Sequence, residues 1–257
     1  MRTSRLAAAG LLLVSVIAAS PAQTRAEDSL QAVFRDISDV TSLWGKHLAY
    51  LPAQEAVAPA PADFGVQFGP GIPPELQAVF NSDLSFVKSI RGSGASNLHR
   101  QVFGAVNGQD YISFFTTRVK KLNAGDDCRT YVTSYVSRVD RDAMQACGGY
   151  LKETQIGRID TIFHEARHAA PEAANGYWRH ATCPTPFYAN YLEGLPACDT
   201  SAVGSYGIAR IMLKNIEKYC VNCTDKVRMD AALYSDDDFR RIIDKASRQL
   251  LADDLPE

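Results

Sequence analysis

Residues 161–170, TIFHEARHAA, set two histidines four positions apart with a glutamate directly after the first. On a helix, positions i and i+4 share a face and lie about 6 Å apart along the axis. His164 and His168 can therefore aim imidazole nitrogens at one metal ion. Glu165 falls one residue round the turn and points beside the ion. There it stands as general base toward a zinc-activated water, whose pKa the ion lowers towards 7, and can hand the proton on to a leaving amine. The chemistry served by this spacing is amide hydrolysis with Zn2+ as cofactor. The plainer alternative is a surface helix carrying His, Glu and Arg on its wet face. Arg167, between the histidines, has to point away from the ion or hold a carboxylate.

A catalytic zinc takes a third protein ligand and keeps one position open. Downstream, His180, Glu193 and Asp199 are the candidates, and Ala174 occupies the position six residues after His168. Asp199 lies where the next helix is expected to begin, so it can equally be an N-cap. His180, in WRHATCP, can instead bond a ligand or line a cleft. The residue types leave the choice open.

The elements that must hold these residues read as α+β and predominantly helical, with a small β-hairpin or sheet and an active-site helix. Apolar residues three and four apart predict helices over 28–50, 74–90, 109–122, 155–169 and 200–219. Ser235 and Asp238 read as a capping box that opens a last helix over 236–251. RTYVTSYVSRV is β-branched and aromatic; with the polar turn at Asp140–Asp142 and the return AMQAC it predicts a hairpin. Residues 171–198, rich in Pro and Gly, form a long structured loop, and such loops are usually functional.

Residues 1–26 combine Arg2 and Arg5, a short apolar run and small-residue cleavage sites, the layout of a signal peptide. A helix and a Pro/Ala-rich linker follow over 27–64, and residues 65–257 make the catalytic domain. No later run is long and apolar enough to span a membrane. The 27 Lys and Arg against 29 Asp and Glu leave a net charge of −2 without a basic stripe, which argues against nucleic acid as partner. An exported chain meets an oxidising compartment, so the six cysteines are expected as disulfides; the sequence leaves fifteen connectivities open, and the expectation adopted pairs neighbours: 128 with 147, 183 with 198, 220 with 223. A bridge between 183 and 198 would staple the loop that carries His180 and delivers Asp199.

The order of features from Cys128 to Tyr206 resembles the deuterolysin-type zinc peptidases, the aspzincins, among the zincin metallopeptidases with H-E-x-x-H. The matching stretches are TYVTSYVSRVDRDAMQACGGYL, TIFHEARHA and CDTSAVGSYG. The family's Gly-Thr before the aspartate is replaced here by Leu195-Pro196-Ala197-Cys198, and the Tyr-Gly stands further from it. The resemblance implies a zincin-like core, His164 and His168 as ligands, Glu165 as base and Asp199 as third ligand; His180 remains the alternative that the residues themselves offer. It also implies that Tyr206 donates a hydrogen bond to the transition-state oxyanion.

The sequence thus points to a secreted or periplasmic zinc metallopeptidase acting on a peptide or protein substrate. Two other readings stand beside it: an exported binding or scaffold protein with a structural metal site, and a zinc hydrolase of non-peptide amides. Oligomeric state and specificity leave no mark on the sequence.

Overall fold

The structure, a computed structural model, describes residues 63–125, 128, 132–170 and 178–255. The expected signal peptide, the expected helix over 28–50 and nearly all of the expected linker lie outside the described residues. The order of elements is β1 (Gln67–Phe68), α1 (Pro74–Ser89), α2 (Asn97–Val102), α3 (Gly108–Thr116), β2 (Lys121–Ala124), β3 (Ser134–Val136) and β4 (Ala143–Ala146). It continues with α4 (Gln155–His168), β5 (Ala181–Thr182), β6 (Pro196–Cys198), α5 (Ser205–Tyr219), α6 (Asp225–Arg241) and α7 (Lys245–Asp254). The architecture is α+β, with helices surrounding small sheets.

Four strands form a mixed sheet in the order β1-β2-β4-β3. β1, β2 and β4 run parallel, and β3 returns antiparallel to β4 with Tyr135 opposite Gln145. The expected hairpin is therefore β3–β4, at one edge of a wider sheet than the sequence announced. β5 and β6 pair separately. α4 is the central element. Thr154 caps it, its side chain accepting from Gly157 N–H, and Ile156, Ile159, Ile162, Phe163 and Ala166 are buried along it. It packs against α1 and α3, against β3, and against α5 and α6. With its apolar face locked on all these neighbours, the helix presents its histidine face at a fixed angle.

Two expected elements end elsewhere. The helix over 109–122 stops at Thr116, because Lys120 and Lys121 donate their amides to the Asp142 carbonyl and the chain is drawn into β2. The β-branched pair Thr116–Thr117 gives little helix propensity to resist this. No helix starts at 236. Ser235 is fully buried and donates its hydroxyl to the Ala232 carbonyl within α6, so it is an interior residue rather than a cap. The chain breaks at Ile242, and Asp244 caps α7 by accepting from Ser247 N–H at 2.7 Å.

The three disulfides are Cys128–Cys147, Cys183–Cys198 and Cys220–Cys223, as expected. No helix among the described residues is long and apolar enough to cross a membrane.

Candidate metal centre

Three imidazoles meet at the C-terminal end of α4. His164 Nε2 lies 3.2 Å from His168 Nε2 and 3.1 Å from His180 Nε2, and the last two are 3.0 Å apart. His164 and His168 come from one face of the helix. His180 reaches them from the loop before β5, which is tied back to α4 by Trp178 N–H donating to the His168 carbonyl at 3.1 Å.

The protons decide what this triangle can do. His168 Nδ1 faces the Trp178 carbonyl and His180 Nδ1 faces Asp199 Oδ1 at 2.9 Å. Both partners only accept, so each Nδ1 carries the hydrogen and each Nε2 turns a lone pair inward. Burial, followed by the neighbouring imidazoles, pushes the His164 pKa well down and that of His168 to about 3, which keeps both neutral. Three nitrogens in contact with at most one proton among them repel one another unless a cation sits between them. A tetrahedral zinc with bonds of about 2.0–2.1 Å sets its nitrogens about 3.3 Å apart, close to the observed separations. The residues fit a divalent metal, and this buried three-histidine group can hold one.

Asp199 is set differently from what the resemblance implied. Its Oδ1 holds His180, and its Oδ2 accepts from Tyr206 N–H at 2.8 Å at the start of α5. The carboxylate is 1 % exposed and stands outside the three-nitrogen group. It fixes the tautomer and tilt of His180, the part that carboxylates take behind metal-bound histidines. Gly204 makes room for it: a Cβ there would come 2.3 Å from Asp199 Oδ2. Tethering by Asp199 also explains why the helix begins at Ser205 rather than near 200. The Cys183–Cys198 bridge joins the strand after His180 to the strand before Asp199, so both residues arrive on one clamped pair. Glu193 stays outside the group: its Oε1 accepts from Phe187 N–H and closes its own loop.

Glu165 is buried on the wall of the same cleft, which encloses about 600 Å³. Desolvation pushes its pKa up to about 8, against the opposing influence of the Ser134 hydroxyl and the Val136 amide. Glu165 Oε2 and Ser134 Oγ meet no partner at hydrogen-bonding geometry. A cation among the imidazoles would draw this pKa back down. Arg167, the awkward residue of the motif, points away. Its Nε donates to the Val203 carbonyl at 2.7 Å, and its guanidinium lies over the Trp178 ring.

Tyr206 stacks on His180, ring centroids 4.9 Å apart, and meets His164 edge-on. Its hydroxyl oxygen accepts from Arg241 at 2.9 Å. Arg241 is in turn held by Asp237. Nothing local pointed to Arg241, which lies 35 positions away on another helix. Asp160, also on the cleft wall, had a signal: it precedes His164 by four residues and continues the 164/168 face. β3, the outermost strand of its sheet, supplies the opposite wall with residues 132–136.

Comparison with protein-family models, with curated proteins and with solved structures gives no match for this chain.

Proposed function

We propose that this protein is an exported zinc-dependent peptidase. The observation that carries the reading is Glu165 Oε2, a buried acceptor without a partner that faces the cleft shared by three converging imidazole nitrogens. A site kept for stability closes its fourth position and has no use for a spare carboxyl beside it. Three imidazoles in this compact arrangement suit zinc among the common divalent metals.

His164, His168 and His180 would hold the zinc ion, which would supply Lewis acidity for amide hydrolysis. Glu165 Oε2 is the residue placed to take a proton from the attacking water and return it to the leaving amine. Tyr206 keeps its own proton, because burial raises the phenol pKa. With the oxygen accepting from Arg241, the O–H remains to donate to the oxygen that gains negative charge. An edge strand along the cleft favours an extended peptide as substrate, since such a chain can pair with it through main-chain hydrogen bonds. Three disulfides agree with a secreted or periplasmic location, in line with residues 1–26 read as a signal peptide. The likeness to deuterolysin-type peptidases supports the same chemistry, with His180 standing where that family uses an aspartate.

The test is zinc content and casein cleavage of the parent and of Glu165→Gln. Zinc is expected in both and cleavage in the parent alone, with a loss of at least about a hundredfold in the variant. Zinc bound without cleavage in the parent would turn the reading to a structural metal site.

A further inference from the structure

Beyond His164 the cleft continues along α4 to a second group that the hydrolytic steps do not use. Asp160 lies one turn before His164 on the same helix face, and Asp238 comes to it from α6; both line the cleft. Asp238 is 3 % exposed. Asp160 Oδ1 and Asp238 Oδ2 are buried, and apart from the contact of the two carboxyls with each other no hydrogen-bond donor reaches them. The nearest guanidinium does not serve them, for Arg241 spends its hydrogen bonds on Asp237 and Tyr206. Glu153 and Asp237 stand on the same stretch of wall, so four carboxyls face one arginine.

Carboxyls buried without donors are costly. Desolvation pushes Asp160 up to about 7 and Asp238 well above its ordinary value, so the pair retains a proton in place of a counter-charge. No third histidine, cysteine or carboxylate ligand joins these two in a metal-holding group among the described residues. What the pair lacks is a cation that brings its own hydrogen-bond donors. An ammonium has three and a guanidinium five.

We propose that Asp160 and Asp238 form a subsite for a cationic nitrogen of the substrate, supplied by a lysine or arginine side chain or by a free amino terminus. The inference rests on the peptidase reading and gives it a substrate class: peptides with positive charge close to the bond that is cut.

The test is binding, so that it is read separately from turnover. Zinc-loaded Glu165→Gln is titrated calorimetrically with Ala-Ala-Lys-Ala-Ala blocked at both ends, and with the same peptide acetylated at Nζ. A second pair, penta-alanine amide with a free or an acetylated amino terminus, separates the two sources of charge. In at least one pair acetylation is expected to weaken binding tenfold or more, and the added changes Asp160→Asn and Asp238→Asn are expected to reduce that ratio to twofold or less. Ratios below twofold in both pairs, no measurable binding of either free amine, or a ratio that survives the double substitution would each overturn the proposal. The acetylation arm needs no second variant to fold. Failure of the parent to cut any peptide while the ratio persists would refute the peptidase reading and leave the cation subsite standing.

Discussion

His180 donates Nδ1–H to Asp199 and thereby presents a bare Nε2 to the other two histidines. The two residues therefore differ in what their loss should do. On the proposed reading, His180→Ala removes a ligand, whereas Asp199→Asn removes only the group that orients it, which typically costs about 10–100-fold in affinity. In competition titrations against a zinc chelator, the larger loss is expected for His180→Ala. An equal or greater loss in Asp199→Asn would make Asp199 the ligand. At this scale, His164, Glu165 and His168 were legible because helical geometry converts a spacing of four into a shared face. His180 and Asp199 were both visible as candidates, but choosing between them depends on the path of a loop, which residue types do not encode.

The elements bring the loop residues to the helix through two devices. One is the close approach at the start of α5. Gly204 has an ordinary extended backbone, φ −67°, so alanine there meets no strain, but its Cβ would collide with Asp199 Oδ2. Gly204→Ala should displace the carboxylate and weaken zinc binding about as much as Asp199→Asn, on the order of tenfold or more, while α5 remains helical by circular dichroism. Unchanged affinity would show that the carboxylate can move without cost. The other is the Cys183–Cys198 bridge. Converting both to serine removes a crosslink over a separation of 15 residues, worth about 3 kcal/mol in the chain-entropy account. A lower melting temperature and weaker zinc binding are expected together, and a drop in melting temperature alone would mean that the strand pair positions His180 unaided. Patterning placed α1 and α4 well, since each carries a sustained apolar stripe. It overran the end of α3 because recruitment of Lys120 and Lys121 by the Asp142 carbonyl is a long-range event. It began the last helix inside α6, at 236, because a buried serine and a capping serine look alike in one dimension.

The whole molecule carries a dependence on pH apart from the metal. His99 is fully buried, with Nε2 2.8 Å from the Tyr111 hydroxyl and Nδ1 3.2 Å from the Gly104 carbonyl. Burial lowers its pKa to about 4, against the Gly104 carbonyl and the more distant Asp110 and Asp254. Below about 6.5 the unfolded chain binds a proton that the folded one refuses. The stability due to neutral His99 is thus complete above pH 6.5 and is lost as the pH falls towards 4, about 3 kcal/mol over that span. His99→Gln should be less stable than the parent at pH 7, and the difference in melting temperature should shrink by about pH 4.5; a constant difference would remove His99 from the acid response. At this scale the sequence determined the helix-rich α+β class, the presence of disulfides though not the choice among their fifteen connectivities, and the histidine pair of α4 with its glutamate, because each is written within a few neighbouring positions or in the count of cysteines. Tertiary structure alone decided that the hairpin belongs to a four-stranded sheet, that His180 joins the other two imidazoles while Asp199 stands behind it, and that Asp238 meets Asp160. Those pairings join residues separated by long stretches of chain, and only the burial of a common core brings them within bonding distance.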